Sequence, residues 1–246
     1  MADVPVPDDD TAASSRLMLH VGGLVPFTST DFPGKLAAVI FCQGCPWRCG
    51  YCHNPHLLPA RGDREQDWNA VLAWLDTRCG LLDGVVFSGG EPTAQAALGS
   101  AMRDVRAKGY AIGLHTGGIY PRRLADVLDL VDWVGIDIKA PVEKYGDVTG
   151  VHLSGPAAFA SLEILMRAKI PCEVRTTVHR LLTPAADLRL LASELAHYGV
   201  RHWKLQMFRP VGCANGALNA ASPHGEHLPE GLIEDLRRQV PKVELQ

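Results

Sequence analysis

Four cysteines lie within eleven residues of one another, at positions 42, 45, 49 and 52. Cys45, Cys49 and Cys52 form the spacing C-x3-C-x2-C, which puts their thiols on one tight loop. Three thiolates on such a loop can hold three irons of a cubane iron–sulfur cluster and leave the fourth iron open for a substrate. Gly44 and Gly50 would let the backbone wrap closely around such a group.

Cys42 keeps a second interpretation open. With this residue the pattern becomes C-x2-C-x3-C-x2-C, and four thiolates would close a structural zinc site or a saturated iron–sulfur cluster. Cys42 also ends the apolar segment 36–41, where a small thiol packs well in a core. The residues favour the core role, and the two interpretations predict different effects of removing Cys42.

A second motif, Ser88-Gly89-Gly90-Glu91-Pro92, follows the next apolar segment. Paired glycines let the backbone approach a ligand closely, and the carboxylate of Glu91 can meet a cation. Taken alone, this motif would pass for a turn. Combined with the cysteine spacing and an aromatic residue, Tyr51, directly before the last cysteine, it favours iron–sulfur chemistry.

The elements that must position these motifs are short β-branched segments alternating with amphipathic ones. The predicted strands cover 36–41, 84–87, 111–115, 133–139, 172–178 and 202–208. The predicted helices cover 66–77, 94–108, 121–130, 156–169, 185–198 and 229–239. The strand segments are continuously apolar, as is typical of parallel strands covered by helices, so the sequence predicts an α/β sheet or a curved partial barrel. The small and polar residues of 213–228 predict a loop.

Polar residues gather where the predicted strands end. They are Cys42, 88–91, 115–118, 137–139 and 175–179. In α/β folds, ligands bind beyond the carboxyl ends of the strands. Five such ends predict one functional site at this rim.

The composition limits the classes of partner. The 246 residues carry a net charge of −3 without a long Lys/Arg run, which argues against a nucleic-acid partner. No apolar run approaches the ~18 residues that span a membrane, and the acidic start lacks the features of a secretory signal. We therefore expect a cytoplasmic protein with a disordered tail over 1–15 and one domain over 16–246.

From Leu24 to Pro210 the chain resembles the radical S-adenosylmethionine (SAM) superfamily, in the part shared by small glycyl-radical activating enzymes. The stretch TSTDFPGKLAAVIFCQGCPWRCGYCHNP is similar to the activating proteins of anaerobic ribonucleoside-triphosphate reductases. VDWVGIDIKAP, EVRTTVH and KLQMFRP are similar to later strand motifs of the same family. The resemblance implies a partial (β/α)6 TIM-like barrel, one [4Fe–4S] cluster and S-adenosyl-L-methionine.

The resemblance also implies an activity and its partners. Such an enzyme cleaves SAM reductively and generates a glycyl radical on the reductase, with electrons from a low-potential donor such as flavodoxin or ferredoxin. No side chain acts as a general acid or base, because the cofactors carry the chemistry. Only 35 residues, with Cys79 as their one cysteine, separate Cys52 from Ser88, which leaves no ligand set for a second cluster.

Roles follow for individual residues by the same resemblance. Cys45, Cys49 and Cys52 would hold the cluster, and the Tyr51 backbone would lie near the adenine. The expected contacts of the methionyl end and ribose are Gly89, Gly90, Glu91, Thr116, Asp137, Lys139 and Arg175. His115 departs from the pattern, because pyruvate formate-lyase activators carry an acid there, and this argues against a cation site.

Three alternatives remain open at the level of sequence. One is an activator of a pyruvate formate-lyase type enzyme, and another is a radical SAM enzyme with a small-molecule substrate. The third is a non-enzymatic protein whose four cysteines hold zinc or an electron-carrier cluster. The last alternative predicts that Cys42 is essential.

Overall fold

The computed structural model describes residues 17–222 and 228–246. They form one eight-stranded sheet in which the strands follow each other in chain order. The first strand is antiparallel to the second, and all later neighbours are parallel. The strands are β1 Val21–Thr28, β2 Ala37–Cys42, β3 Gly84–Gly89, β4 Ala111–Thr116, β5 Trp133–Asp137, β6 Cys172–Val178, β7 His202–Met207 and β8 Lys242–Leu245.

Eight α-helices accompany the strands in these described ranges. They are α1 Trp68–Asp76, α2 Leu98–Ala107, α3 Pro121–Ala125, α4 Tyr145–Thr149, α5 Ser154–Ala168, α6 Ala185–His197, α7 Gly216–Ala221 and α8 Leu232–Arg237. Short 3-10 turns cover Pro55–Leu57, Pro92–Ala94, Leu128–Leu130 and Val142–Lys144. None of the helices within 17–222 and 228–246 is long and apolar enough to cross a membrane.

The predicted α/β class is confirmed, and all six predicted strands are present. Two further strands were not predicted from the sequence. β1 contains Gly22, Gly23 and Pro26, which disfavour a strand in any pattern-based prediction. β8 is only four residues long. The predicted tail over 1–15 lies outside the described residues.

The prediction of a loop over 213–228 is wrong in its first half, where α7 forms. Asn215 begins this helix, since its Oδ1 accepts hydrogen bonds from the amides of Ala217 at 3.1 Å and Leu218 at 3.3 Å. Leu218 is buried and anchors the helix to the domain. The segment lacks apolar periodicity because most of its residues are small, which hid the helix. Residues 223–227 lie outside the described residues.

The two faces of the sheet pack against different partners. In β2, Ile40 and Cys42 belong to the main core that the helices cover, whereas Ala37 and Val39 belong to a second, smaller core. This alternation follows from the period of two along a strand. The smaller core lies on the concave face of the sheet, toward the amino ends of the parallel strands.

Phe32, on the connection between β1 and β2, closes the concave face from below. Its ring is 3% exposed and stacks on Trp133, with centroids 5.8 Å apart. Gly84 and Gly113 make room for it, because a Cβ at either position would come within 3.2 Å of the Phe32 ring. The concave face is therefore filled at its amino end and polar at its carboxyl end.

Candidate cofactor site at the carboxyl ends of the strands

One cavity at the carboxyl ends of the strands is lined by every site residue predicted from the sequence. They are Cys45, Cys49, Tyr51, Cys52, Gly89, Gly90, Glu91, Thr116, Asp137, Lys139 and Arg175. These residues come from the ends of β3 to β6 and from the loop after β2. The cavity therefore brings together side chains that are more than 100 residues apart in the chain.

The segment 43–54 between β2 and the first 3-10 turn, which we call the cysteine loop, is held in place by backbone hydrogen bonds. The amides of Gly44 and Cys45 donate to the carbonyls of Leu57 and Leu58, at 2.8 and 3.1 Å. Gly44 has φ +92°, a conformation that favours glycine, so this residue makes the turn out of β2. Nη1 of Arg48 donates to the carbonyl of Cys45 at 2.6 Å and fixes the loop from the outside.

Cys45, Cys49 and Cys52 line the cavity and are partly buried, whereas Cys42 is fully buried among the main core residues. Burial raises the pKa of the Cys45 thiol to about 12. Burial also raises the pKa of Cys49, although the nearby Lys139 ammonium opposes this. Both thiols are therefore protonated at neutral pH, and binding of a metal group would displace their protons.

No group of three His, Cys, Asp or Glu side chains within the described ranges converges on a point where one metal ion could bind. A zinc ion requires such convergence, because four ligands must meet it at 2.0–2.3 Å. A cubane cluster does not, because each thiolate binds a different iron. The three thiols that line the cavity can each bind a different iron of such a cluster.

The glycine-rich motif presses against the cysteine loop. A Cβ on Gly90 would lie 2.3 Å from the Gly44 carbonyl oxygen, and Gly89 has φ +107°. The amides of Gly90 and Glu91 donate to the carbonyls of Cys42 and Gly44, each at 2.9 Å. Both glycines are thus required by the close approach of two backbones, which also forms one wall of the cavity.

Glu91 joins the ends of β3 and β4. Its Oε1 accepts hydrogen bonds from the Thr93 amide at 3.0 Å, the Thr93 hydroxyl at 2.6 Å and the Thr116 hydroxyl at 2.7 Å. Its Oε2 accepts one from the Gly117 amide at 2.9 Å. Burial raises the pKa of this carboxyl, and the four donors oppose the rise. Glu91 therefore organises the cavity wall as well as facing the cavity.

Asp137, Lys139 and Arg175 form a charged group on the opposite wall. Oδ1 of Asp137 lies 2.9 Å from Arg175, and Oδ2 lies 3.3 Å from Lys139 Nζ. Burial alone would raise the pKa of Asp137, but Arg175 and then Lys139 lower it to about 2. One carboxylate thus faces two cations, which leaves a net positive charge available for an anionic ligand.

His115 is a neutral residue below this charged group. Its Nε2 donates to the Asp31 carbonyl at 2.9 Å, so Nδ1 is the acceptor, and Nδ1 lies 3.3 Å from the Ser88 hydroxyl. Burial, followed by the positive charge of Arg175, lowers the pKa of this imidazole to about 3. At neutral pH this side chain therefore adds no charge beside Asp137, Lys139 and Arg175.

The Tyr51 side chain lines the cavity beside Lys139. Its hydroxyl is buried and has no hydrogen-bond partner among the described residues. The Lys139 ammonium lies 5.6 Å from the centre of its ring. Because a buried polar group without a partner costs about 1–3 kcal/mol, this hydroxyl fits a cavity that is completed by a polar cofactor. The thiols, the charged group and Tyr51 together suit a cluster with an amino-acid-like ligand beside it.

Two further residues at or behind the cavity wall had no predicted role as cofactor contacts. The Trp47 ring is buried, packs edge-on against Tyr145 and lies against Gly117, where a Cβ would come within 2.8 Å of it. Thr93 supplies two of the donors to Glu91. No sequence pattern predicts these contacts, because each of them depends on which loops become neighbours in the folded chain.

Of the three histidines near the motifs, His53 and His179 make structural contacts. His53 lines the cavity, stacks on Phe208 and donates from Nε2 to the Arg209 carbonyl at 2.8 Å. His56 is exposed. His179 is buried and its Nε2 lies 3.1 Å from the Leu218 carbonyl oxygen.

Residues 39–190 match the family model of the radical SAM superfamily. This match covers more than half of the chain, so the protein belongs to that superfamily and is a radical SAM enzyme. Enzymes of this class use a [4Fe–4S] cluster and S-adenosylmethionine. The thiols, the close-packed glycines and the unpaired Tyr51 hydroxyl fit these cofactors.

Among relatives, the chain is 27% identical over 197 residues to a putative glycyl-radical enzyme activating enzyme of Methanocaldococcus jannaschii, covering 77% of this chain and 80% of that protein. It is 33% identical over 126 residues to the pyruvate formate-lyase-activating enzyme of Clostridium pasteurianum, covering 49% of this chain and 52% of that protein. The chain thus spans about half the length of the second relative.

Solved structures share the fold. QueE from Escherichia coli has a TM-score of 0.54 at 17% identity, covering 93% of this chain and 94% of that chain. A radical SAM methyltransferase from Sphaerobacter thermophilus has a TM-score of 0.62 at 15% identity, covering 87% of this chain and 67% of that chain. The predicted partial TIM-like barrel is confirmed.

Proposed function

We propose that this protein is an activating enzyme that generates a glycyl radical on a partner anaerobic ribonucleoside-triphosphate reductase. The observation that carries the proposal is the similarity to the Methanocaldococcus jannaschii protein, which extends over 80% of that protein and is not confined to the cysteine loop. The stretch 28–55, which resembles activating proteins of such reductases, supports the choice of partner.

Cys45, Cys49 and Cys52 would hold the cluster, each through one thiolate. When bound, the cluster and SAM supply the one-electron cleavage of a carbon–sulfur bond and the hydrogen-atom abstraction that follows. The chain binds and orients these groups. Lys139 and Arg175 provide positive charge for the methionyl carboxylate, and Glu91 holds the wall formed by the two glycines in position.

Exclusion of water is the second task of the chain. Trp47 and Tyr145 are buried next to the cysteine loop, and Phe32 fills the concave face from below. These apolar side chains would keep water away from the bound cofactors, while the charged group of Asp137, Lys139 and Arg175 stays on one wall of the cavity. No described side chain needs to act as a general acid or base in this scheme.

The open sheet supports a macromolecular target. Within the described ranges, β1 and β8 each pair with a single neighbour, so the sheet does not close into a full barrel. Thr177 and Gln206, on the concave side of β6 and β7, extend the polar lining of the cavity toward this opening. A loop of a partner protein has a lateral route to the cofactors.

The first experiment measures 5′-deoxyadenosine formed by the anaerobically reconstituted protein with SAM and dithionite. We expect formation, followed by a glycyl-radical signal in electron paramagnetic resonance (EPR) when the reductase is added. Absence of 5′-deoxyadenosine, with and without the reductase and with a cluster present, would overturn the enzymatic proposal.

Pyruvate formate-lyase is the second candidate target. The relatives from Clostridium pasteurianum and Streptococcus mutans, at 33% and 32% identity, are activating enzymes of that lyase. The same EPR assay with the lyase in place of the reductase separates the two targets. If a glycyl radical forms on the lyase and not on the reductase, the lyase is the partner.

A further inference from the structure

The cysteine loop separates two depressions of the protein surface. On one side lies the cofactor cavity described above. On the other side lies a shallower depression lined by Arg48, Gly50, Pro55, Ala214 and Asn215. Cys49, Cys52 and Leu58 line both depressions. Two of the three candidate cluster ligands are therefore reached from outside without passing through the cavity.

Two later segments border this outer depression. Leu182 and Asn215 lie 3.8 Å from the position of a Cβ on Gly50. A Cβ on Gly212 would lie 2.8 Å from the His53 carbonyl oxygen. The loop after β6 and the segment after β7 therefore lie against the back of the cysteine loop.

The charges of these three segments are of one sign. The chain has 27 acidic and 24 basic residues, yet 42–62, 179–186 and 208–222 contain no Asp or Glu. Arg48, Arg180 and Arg209 are exposed in these segments. The neighbouring α4, whose Val148 and Thr149 carbonyls accept hydrogen bonds from the cysteine loop, adds the exposed Asp147. The three arginines outnumber this carboxylate, and a positive surface on a protein with net negative charge favours an acidic partner.

Exposed apolar side chains lie in the same segments. Val211 is 87% exposed and Leu181 is 60% exposed. A small apolar area with charged residues around it suits the brief encounters of electron-transfer proteins, whose interfaces bury less than about 1,200 Å². We call the surface formed by Arg48, Arg180, Leu181, Arg209 and Val211 the donor face.

We propose that the donor face binds a small acidic one-electron carrier protein, which reduces the cluster from the side opposite the cofactor cavity. The carrier loses one electron, and the cluster gains it and passes from the 2+ to the 1+ state. This inference rests on the proposed function, because it requires a cluster on Cys45, Cys49 and Cys52. It adds that the reductant and the glycyl-radical target bind to different surfaces.

The test measures the second-order rate at which fully reduced flavodoxin reduces the reconstituted cluster, followed by stopped-flow absorbance and EPR. The variant Arg180→Glu/Arg209→Glu reverses two charges of the donor face and leaves Arg48, which fixes the cysteine loop, unchanged. We expect the rate to fall about tenfold or more at low salt, and the difference from the native protein to shrink at high salt.

Two controls separate docking from damage to the cluster. Photoreduced 5-deazariboflavin, a small uncharged reductant, should reduce native and variant clusters at similar rates. Arg167→Glu/Arg201→Glu makes the same change of charge away from the donor face, near the amino ends of β6 and β7, and should leave the flavodoxin rate unchanged.

An unchanged flavodoxin rate in Arg180→Glu/Arg209→Glu would overturn the inference, as would an equal loss of rate with the small reductant or in the control variant. In each of these cases the cluster is present and reducible, so the proposed function stands. If the native protein takes up no cluster, the proposed function is wrong, and the inference that a carrier protein binds the donor face is wrong as well.

Discussion

Arg175 and Asp137 are register partners on neighbouring parallel strands, and Nε and Nη2 of the guanidinium each lie 2.9 Å from the same carboxylate oxygen. The arginine side chain is 10% exposed and that of Asp137 is 32% exposed. Lys139 adds a second cation to the same carboxylate. These three side chains set the charge of one wall of the cavity. The stability of the group depends on Asp137 more than on either cation, because Asp137 is the counter-ion of both.

Replacement of Asp137 by Asn leaves Arg175 and Lys139 as two mostly buried cations without a counter-ion. Removal of one partner from a buried pair costs about 3–5 kcal/mol, and we expect about 2 kcal/mol here because Asp137 is partly exposed. The midpoint of thermal unfolding should fall by about 5 °C. Differential scanning fluorimetry of the anaerobic protein measures this shift.

Asp76→Asn is the matched control for that substitution. Asp76 pairs with Lys108, but its side chain is 58% exposed, so the loss should be less than about 1 kcal/mol. Because the pKa of Asp137 is lowered from 3.8 to about 2, its contribution is complete above about pH 4 and disappears as the pH falls toward 2. Equal losses in both variants at pH 7 would contradict the buried-pair argument.

Glu91→Gln should weaken SAM binding by about tenfold or more. The carboxylate accepts four hydrogen bonds, and an amide nitrogen in its place would face at least one donor that it cannot accept. The wall formed by Thr116 and Gly117 would then shift. Equilibrium dialysis with SAM measures the effect, and Thr93→Ser, which keeps both donors, should bind SAM like the native protein.

Cys42→Ala should retain a full cluster and SAM cleavage, whereas Cys49→Ala should lose both. Cys42 is fully buried in the main core, on the face of β2 that the helices cover, so its loss affects packing alone. Iron and sulfide analysis together with 5′-deoxyadenosine formation measure the difference. A folded Cys42→Ala protein with a depleted cluster would show that the four-cysteine interpretation is correct.

His115 should make the stability of the protein sensitive to mild acid. Its pKa is lowered from 6.5 to about 3 in the folded state, so the unfolded chain binds the proton first as the pH falls. Stability is complete above about pH 6.5 and decreases toward pH 3, with a loss of about 2 kcal/mol between pH 7 and pH 5.

The variant His115→Gln removes this titration, and its Nε2 amide reaches as far as the imidazole Nε2 that donates to the Asp31 carbonyl. Between pH 7 and pH 5, the thermal midpoint of this variant should fall by about 5 °C less than that of the native protein. If both midpoints fall by the same amount, the imidazole is not held neutral in the fold.

The sequence predicted the fold well where residues repeat a pattern. The six predicted strands are short segments rich in apolar and β-branched residues, and each was found within two residues of its predicted bounds. β1 and α7 were missed because their residues carry little pattern. Gly22, Gly23 and Pro26 weaken one segment, and the Ala-rich 216–221 lacks a large apolar repeat.

The candidate site could be predicted as a set of residues and not as a network. Motif spacing and the positions of the strand ends predicted Glu91 and Asp137 as site residues. The four donors around Glu91, the tautomer of His115 and the unpaired hydroxyl of Tyr51 arise from loops that meet only in the folded chain. Such contacts depend on register and close approach, which one sequence does not encode in any local pattern.

The stacked pair of Phe32 and Trp133 closes the concave face at its amino end, and this has a kinetic consequence. Because this end is filled, SAM and a loop of the partner protein share the access that remains, at the carboxyl ends of the strands and at the open edge of the sheet. The larger one, once seated, would seal in the smaller. We therefore expect compulsory-order kinetics, in which SAM enters first and its products leave only after the partner has dissociated.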